Sequence, residues 1–155
     1  LGANVESLLL TGSGAISSTG NSLANSLTGN AGSNILKGLG GADVLRGGLG
    51  ADDFVFASLG DSTSKASGRD TILDFSHGQN DDIVLSAIDA NVNRSGNQAF
   101  SFIGDDVFSD RAGELRVVHS QGDTIVQGDV NGDGKADFSI GLDATIDLVR
   151  GDFIL

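Results

Sequence analysis

The sequence contains no cysteine, so it has neither a disulfide nor a thiolate metal site, and a secreted chain of this kind must be stapled by other means. It lacks tryptophan and tyrosine, the usual exposed platforms for sugar rings. It has no methionine, so a piece of something longer or a processed product is expected. Cations are scarce: nine Lys and Arg face twenty-one Asp and Glu, a net charge of −12, which argues against nucleic acid and anionic membranes and favours cations as partners. No apolar run approaches the roughly 20 residues that span a bilayer, so no membrane insertion is expected, and the amino terminus lacks a basic-then-apolar leader. H-E-x-x-H, G-x-S-x-G and G-x-x-x-x-G-K-[ST] are all missing, so the chain reads as non-enzymatic. His77 and His119, the only histidines, have no partner at ligand spacing and read as a loop and a strand residue with satisfied hydrogen bonds.

What the chain does have is glycine at a fixed period. Residues 20–55 divide into four nonamers, GNSLANSLT, GNAGSNILK, GLGGADVLR and GGLGADDFV. The last fits G-G-x-G-x-D-x-U-x at every fixed place, U being a large apolar residue. Leu27, Leu36, Leu45 and Phe54 fill the eighth place; Asn25, Asn34, Asp43 and Asp52 fill the sixth. A flexible Gly/Ser/Asn linker has no reason to place Leu or Phe every ninth residue. Each nonamer offers a short strand around U and a glycine-rich turn, and two nonamers make one coil. The expected fold is all-β, a parallel β-roll followed by a short-stranded antiparallel β cap.

Residues eighteen apart then stack about 4.8 Å from one another. That spacing predicts one column of Asn25, Asp43 and Asp61 and another of Asn34, Asp52 and Asp70. Adjacent carboxylates at this distance repel by roughly 3 to 4 kcal/mol at an effective dielectric near 20, so a cation belongs between them. Calcium suits the turns, since it takes six to eight oxygen ligands and each pair of turns offers carboxylates and glycine carbonyls. Asn25 and Asn34 donate oxygen without charge and are expected to bind more weakly.

Upstream, residues 1–28 read as degenerate repeats, with Leu9 eighteen residues before Leu27 and Ser18 at an apolar place. The roll is expected over residues 1–75 and the cap over 76–155, with strand candidates at 99–103, 113–119, 123–130, 136–142 and the last four residues. One further motif stands out. Asp129, Asn131, Asp133, Gly134 and Asp137 match the opening and ninth place of an EF-hand calcium loop, but the twelfth place is Ile140 and the flanks read as strands. A calcium loop and a β-hairpin turned at Asn131-Gly132 or Asp133-Gly134 both fit.

From about Asn21 to its end the chain resembles the C-terminal domain of serralysin-type metalloproteases, a branch of the RTX exported proteins. The segments that carry the likeness are NSLANSLTGNAGSN, the nonamers, DSTSKASGRDTILDF, NDDIVLSAIDAN, GNQAFSFIG, AGELRVV, DTIVQGDVNGDGKADF and DFIL. The resemblance implies calcium held by the sixth-place side chains, here Asp43 and Asp52 with Asn34 in a weakened role, and by carbonyls of Gly38, Gly40, Gly41, Gly47, Gly48 and Gly50. It also implies an uncleaved secretion signal, matched by Asp152, Phe153, Ile154 and Leu155, though these residues also fit a last strand. The family's zinc-protease half is missing, so any proteolysis belongs to an upstream domain of the same protein. The expectation is a secreted, extracellular calcium module exported in one step by an ABC-type exporter. The alternative is a calcium-dependent carbohydrate-binding or adhesive module of a polysaccharide-modifying enzyme.

Overall fold

The computed structural model of the chain describes residues 1–155. Two upstream strands, β1 (Ser7–Leu9) and β2 (Ser17–Thr19), precede four that occupy the last three places of the nonamers: β3 (Ser26–Thr28), β4 (Ile35–Lys37), β5 (Val44–Arg46) and β6 (Asp53–Val55). The glycine-rich turns limit each strand to three residues, whose middle side chain points inward while its neighbours face outward. Odd strands pair in parallel in one sheet and even strands in the other, with Leu27 beside Leu45 and Leu36 beside Phe54. Two nonamers therefore make one coil. These four side chains are fully buried between the sheets, each contributing about 1.5 to 3 kcal/mol.

The first coil is longer by one residue. Leu8, not Leu9, pairs with Leu27, and Leu9 is left 68% exposed. Ser18 sits inside beside Leu36, buried, its hydroxyl without a partner, while Ile16 and Leu23 lie largely outside.

Beyond β6 the eighteen-residue register fails. Phe56 enters the core, the chain leaves the stack, and β7 (Asp70–Ile72) returns beside β5, with Thr71 paired to Val44. Thr63 stands eighteen residues after Leu45 and cannot fill an apolar place, so that half-coil loops out and Ile72 stacks on Leu45 instead. Next, β8 (Asp82–Val84) stacks on β6, with Ile83 beside Phe54. The roll thus runs to Val84, and a boundary at residue 75 would cut its last coil.

The remainder forms β9 (Ser101–Phe102), β10 (Glu114–Ser120), β11 (Asp123–Asp129), β12 (Phe138–Leu142) and β13 (Phe153–Ile154). The centre of the cap, β10, β11 and β12, is antiparallel as expected, but β12 joins β7, β9 joins β10 and β13 joins β8 in parallel. Both sheets of the roll are thereby continued by the cap, and one hydrophobic cluster runs from Leu27 to Phe138 and Phe153. The far end of the stack has no open edge at β7 or β8.

Candidate metal centre

The sixth-place side chains stitch the coils together. Asp43 Oδ1 accepts the Asn25 N–H and Asp52 Oδ1 the Asn34 N–H, both at 2.7 Å. One coil further, Asp70 Oδ1 accepts the Asp43 N–H at 2.9 Å and Asp81 Oδ1 the Asp52 N–H at 3.0 Å. The columns are therefore Asn25, Asp43, Asp70 and Asn34, Asp52, Asp81. Asp70 stands over Asp43 rather than Asp52, and Asp61 is outside both columns, because the excursion after β6 shifts the register. Asp61 closes its own loop instead, accepting from the Ala57 N–H at 2.8 Å and the Ser58 hydroxyl at 2.6 Å.

The second carboxylate oxygens have a different fate. Oδ2 of Asp43, Asp52 and Asp70 is buried and has no hydrogen-bond partner. An unsatisfied buried acceptor of this kind costs about 1 to 3 kcal/mol, and more when charged. Gly38 and Gly47 lie against these oxygens so closely that a Cβ on either would collide with Asp43 or Asp52. Gly48 and Gly50 hold φ of +102° and +108°, a backbone open to glycine but strained for other residues. Gly41 shares that region, and Gly40 faces the Gly60 carbonyl. The donors are all hard oxygens, which fit calcium better than a transition metal. No three acidic or histidine side chains converge, so an ion in these turns would complete its shell from backbone carbonyls and water.

Electrostatics point the same way. Burial raises the Asp70 carboxyl to about 8, with Asp43 and Asp61 adding repulsion. Asp43 is raised to about 6 by burial and by Asp61, and Asp81 to about 6 by burial and by Asp52 and Asp74. Burial also raises Asp52. No cationic side chain pairs with Asp43, Asp52, Asp70 or Asp81, so a bound proton or an outside cation must neutralise these columns.

Asn25 and Asn34 differ: each side-chain oxygen accepts a turn N–H, at 2.7 and 2.8 Å, and each amide nitrogen donates to a second asparagine. Three residues that the nonapeptide template does not reach complete the last turn. Asp74 accepts the Gly47 and Gly48 N–H groups at 2.9 and 3.0 Å, Gln79 accepts that of Gly50 at 2.8 Å, and Asp81 closes the second column. Asp81 carries a signal in the sequence, since Asp-x-U recurs at Asp43, Asp52, Asp70 and Asp81 with Leu45, Phe54, Ile72 and Ile83 two residues on. Asp74 and Gln79 carry none.

The family described as peptidase M10 serralysin C terminal matches residues 10–155. The chain belongs to that family. Serralysin C-terminal domains are RTX-type β-rolls that bind calcium and are found in secreted proteins. No curated protein matches the sequence. Among solved structures, the chain is similar to the AlgE6R3 subunit of the Azotobacter vinelandii mannuronan C5-epimerase, at 24% identity over 83% of this chain and 70% of that one, with a TM-score of 0.46. It is also similar to the AlgE6R2 subunit of the same enzyme, at 22% identity over 96% and 92%, with a TM-score of 0.42.

In this serralysin C-terminal domain, residues 129–137 form the hairpin connection between β11 and β12. Asp129 accepts N–H groups of Asn131, Gly132 and Gly134, Asp137 accepts from Val130 and the Asn131 amide, and Asp133 pairs with Lys135 at 3.7 Å. Its carboxylates are engaged with the loop itself. At the carboxyl end, Phe153 is buried and pairs with Ile83, Ile154 stays partly exposed, and buried Asp152 bonds His77 Nδ1 at 2.6 Å. His119 Nδ1 meets the Thr124 hydroxyl at 3.2 Å. Both histidines therefore have hydrogen-bond partners.

Proposed function

We propose that this domain is the calcium-binding carboxyl-terminal module of an exported protein. It folds on extracellular calcium behind an upstream domain of the same chain, and its carboxyl end addresses it to an ABC-type exporter for one-step secretion. The observation that carries the calcium reading is the set of buried, unpartnered oxygens on Asp43, Asp52 and Asp70. Bound calcium would supply the positive charge that these oxygens lack. The residues of the chain do the rest: Asp43, Asp52, Asp70 and Asp81 tie coil to coil through backbone N–H groups, and Gly38 and Gly47 leave room for the second oxygens.

Without a cation, folding must either bury carboxylates beside one another or take up protons to neutralise them, so the extended chain is favoured where calcium is low. That state suits passage through a narrow exporter. Where calcium is plentiful, binding to the native turns alone stabilises them by RT ln(1 + [Ca]/Kd), about 2.7 kcal/mol per site at a hundredfold excess over Kd. Any catalytic activity of the parent protein would lie in its upstream part. All eight phenylalanines are buried or packed against the core, which favours this function over a carbohydrate-binding or adhesive one.

The test is a calcium titration of chelator-stripped protein followed by far-UV circular dichroism, which should show a steep gain of β signal. A stripped chain that is already β-rich and does not respond would overturn the proposal. For the export half, deleting residues 152–155 in cells with a matching exporter should abolish secretion. Undiminished export would mean that the signal lies elsewhere.

A further inference from the structure

The step from the first coil to the second is built differently from those that follow. Asn21 and Asn30 hold the second place of their nonamers, one on each side of the roll. The Asn21 Nδ2 donates to the carbonyls of Gly2 and Val5, both at 2.9 Å. The Asn30 Nδ2 donates to those of Thr11 and Gly14, at 3.3 and 3.1 Å. One amide thus bridges two carbonyls of the turn a coil earlier. Each Oδ1 accepts the N–H two residues on, from Leu23 and Gly32 at 2.8 Å, and also the amide of Asn25 or Asn34. Every polar atom of these asparagine pairs has a partner. In the next two nonamers the second place is Leu39 and Gly48, which have no side-chain donor and sit at φ of +69° and +102°. There the sixth-place carboxylates keep an unpartnered oxygen.

We propose that Asn21 and Asn30 are ion-free staples: their amides fill, between the first and second coils, the place that later turns leave to calcium, and the residue at the second place sets where ion binding begins. This assignment rests on the calcium function proposed above. The chemistry is direct, because an amide NH₂ carries partial positive charge on two donors and satisfies two carbonyls without needing a carboxylate as counter-charge. The sixth-place residues of the same turns are correspondingly neutral. The turns between the first and second coils would then need no ion of their own, and once their strands pair would offer a ready edge on which the ion-dependent coils stack.

The experiment uses the full chain and counts calcium per chain by equilibrium dialysis and metal analysis, alongside amide exchange by NMR. Asn21→Ala combined with Asn30→Ala should leave the calcium count at the wild-type value. The same variant should speed exchange of the Leu10 and Ala31 amides, which donate to the Thr28 and Gly12 carbonyls, by about tenfold or more. A lost ion or unchanged exchange would overturn the assignment. A second pair guards against misfolding. Asp43→Asn alone should lose calcium and melt early. Adding Leu39→Asn, Gly40→Ala and Ala42→Ser, which copies the Asn30 turn, should keep the ion absent yet restore part of the melting temperature. A graft no more stable than Asp43→Asn would sink the idea. A wild-type chain without any calcium would overturn both proposals, whereas failure of either variant arm in a calcium-loaded protein would overturn this one alone.

Discussion

The asparagine turns and the aspartate turns share one backbone period and one apolar column but solve the same electrostatic problem in opposite ways. In the turns at residues 20–34, neutral amides close on one another and on the carbonyls below. In those at 38–52, carboxylates reach one N–H each and leave a second oxygen buried and bare. A pair of amides, Asn21 with Asn25 or Asn30 with Asn34, in place of a lone carboxylate therefore separates a turn that is complete by itself from one that calls for an outside charge. Stability along such a roll is set turn by turn, although the strands between the turns look alike.

The largest effect that tests this contrast is acidification in chelator. Carboxyls raised in the fold bind more protons than they do when unfolded, so native stability without calcium should grow as pH falls from about 8, the folded value of Asp70, toward about 4, the unfolded one. Circular dichroism should show calcium-free β structure appearing on acidification, and calcium binding near pH 6 should release protons measurable by calorimetry in buffers of different ionisation enthalpy. No gain at low pH would mean that charge does not hold the aspartate turns apart.

Next in size, Asp70→Ala should lose calcium and leave the Asp43 N–H unpaired, costing roughly 1 to 3 kcal/mol beyond the lost ion in urea unfolding. Asn25→Ala should cost less and leave the ion count unchanged; equal losses at both positions would erase the contrast. Gly47→Ala should cost about 1 to 3 kcal/mol by driving a methyl group into Asp52, whereas Gly14→Ala, with open space around it, should fall within about 0.5 kcal/mol. Smallest of all, Asp133→Ala on the exposed hairpin should change stability by no more than about 0.5 kcal/mol, as a surface pair does.

Much of the roll was legible because its two constraints, glycine in the turn and one large apolar side chain per strand, recur at a fixed interval. Leu27, Leu36, Leu45 and Phe54 therefore fell into place. Period misleads where the interval changes: one extra residue puts Leu9 outside, and the excursion after Phe56 carries Asp70 from one column to the other and sets Asp61 aside. Period alone cannot see an insertion, although the pairing of an aspartate with an apolar residue two places on survives it and would have found Asp81. The cap strands could be located, but not their parallel attachment to β7 and β8, which depends on contacts across more than sixty residues. The amides of Asn21 and Asn30 were invisible because asparagine in a glycine-rich turn looks the same whether it binds an ion or replaces one.

The stacking of β1 to β8 also decides how the molecule bears load. Backbone hydrogen bonds between successive coils point along the axis of the roll, each coil contributes only two strands of three residues, and β13 is a two-residue strand laid on the end opposite β1. A pull on the carboxyl terminus therefore does not shear a broad ladder all at once. It peels β13 from β8, then must draw β12 from between β7 and β11 before it reaches the coils, so the cap should give way first and the roll then yield at low force in small, repeated steps, like a zip opened from its far end.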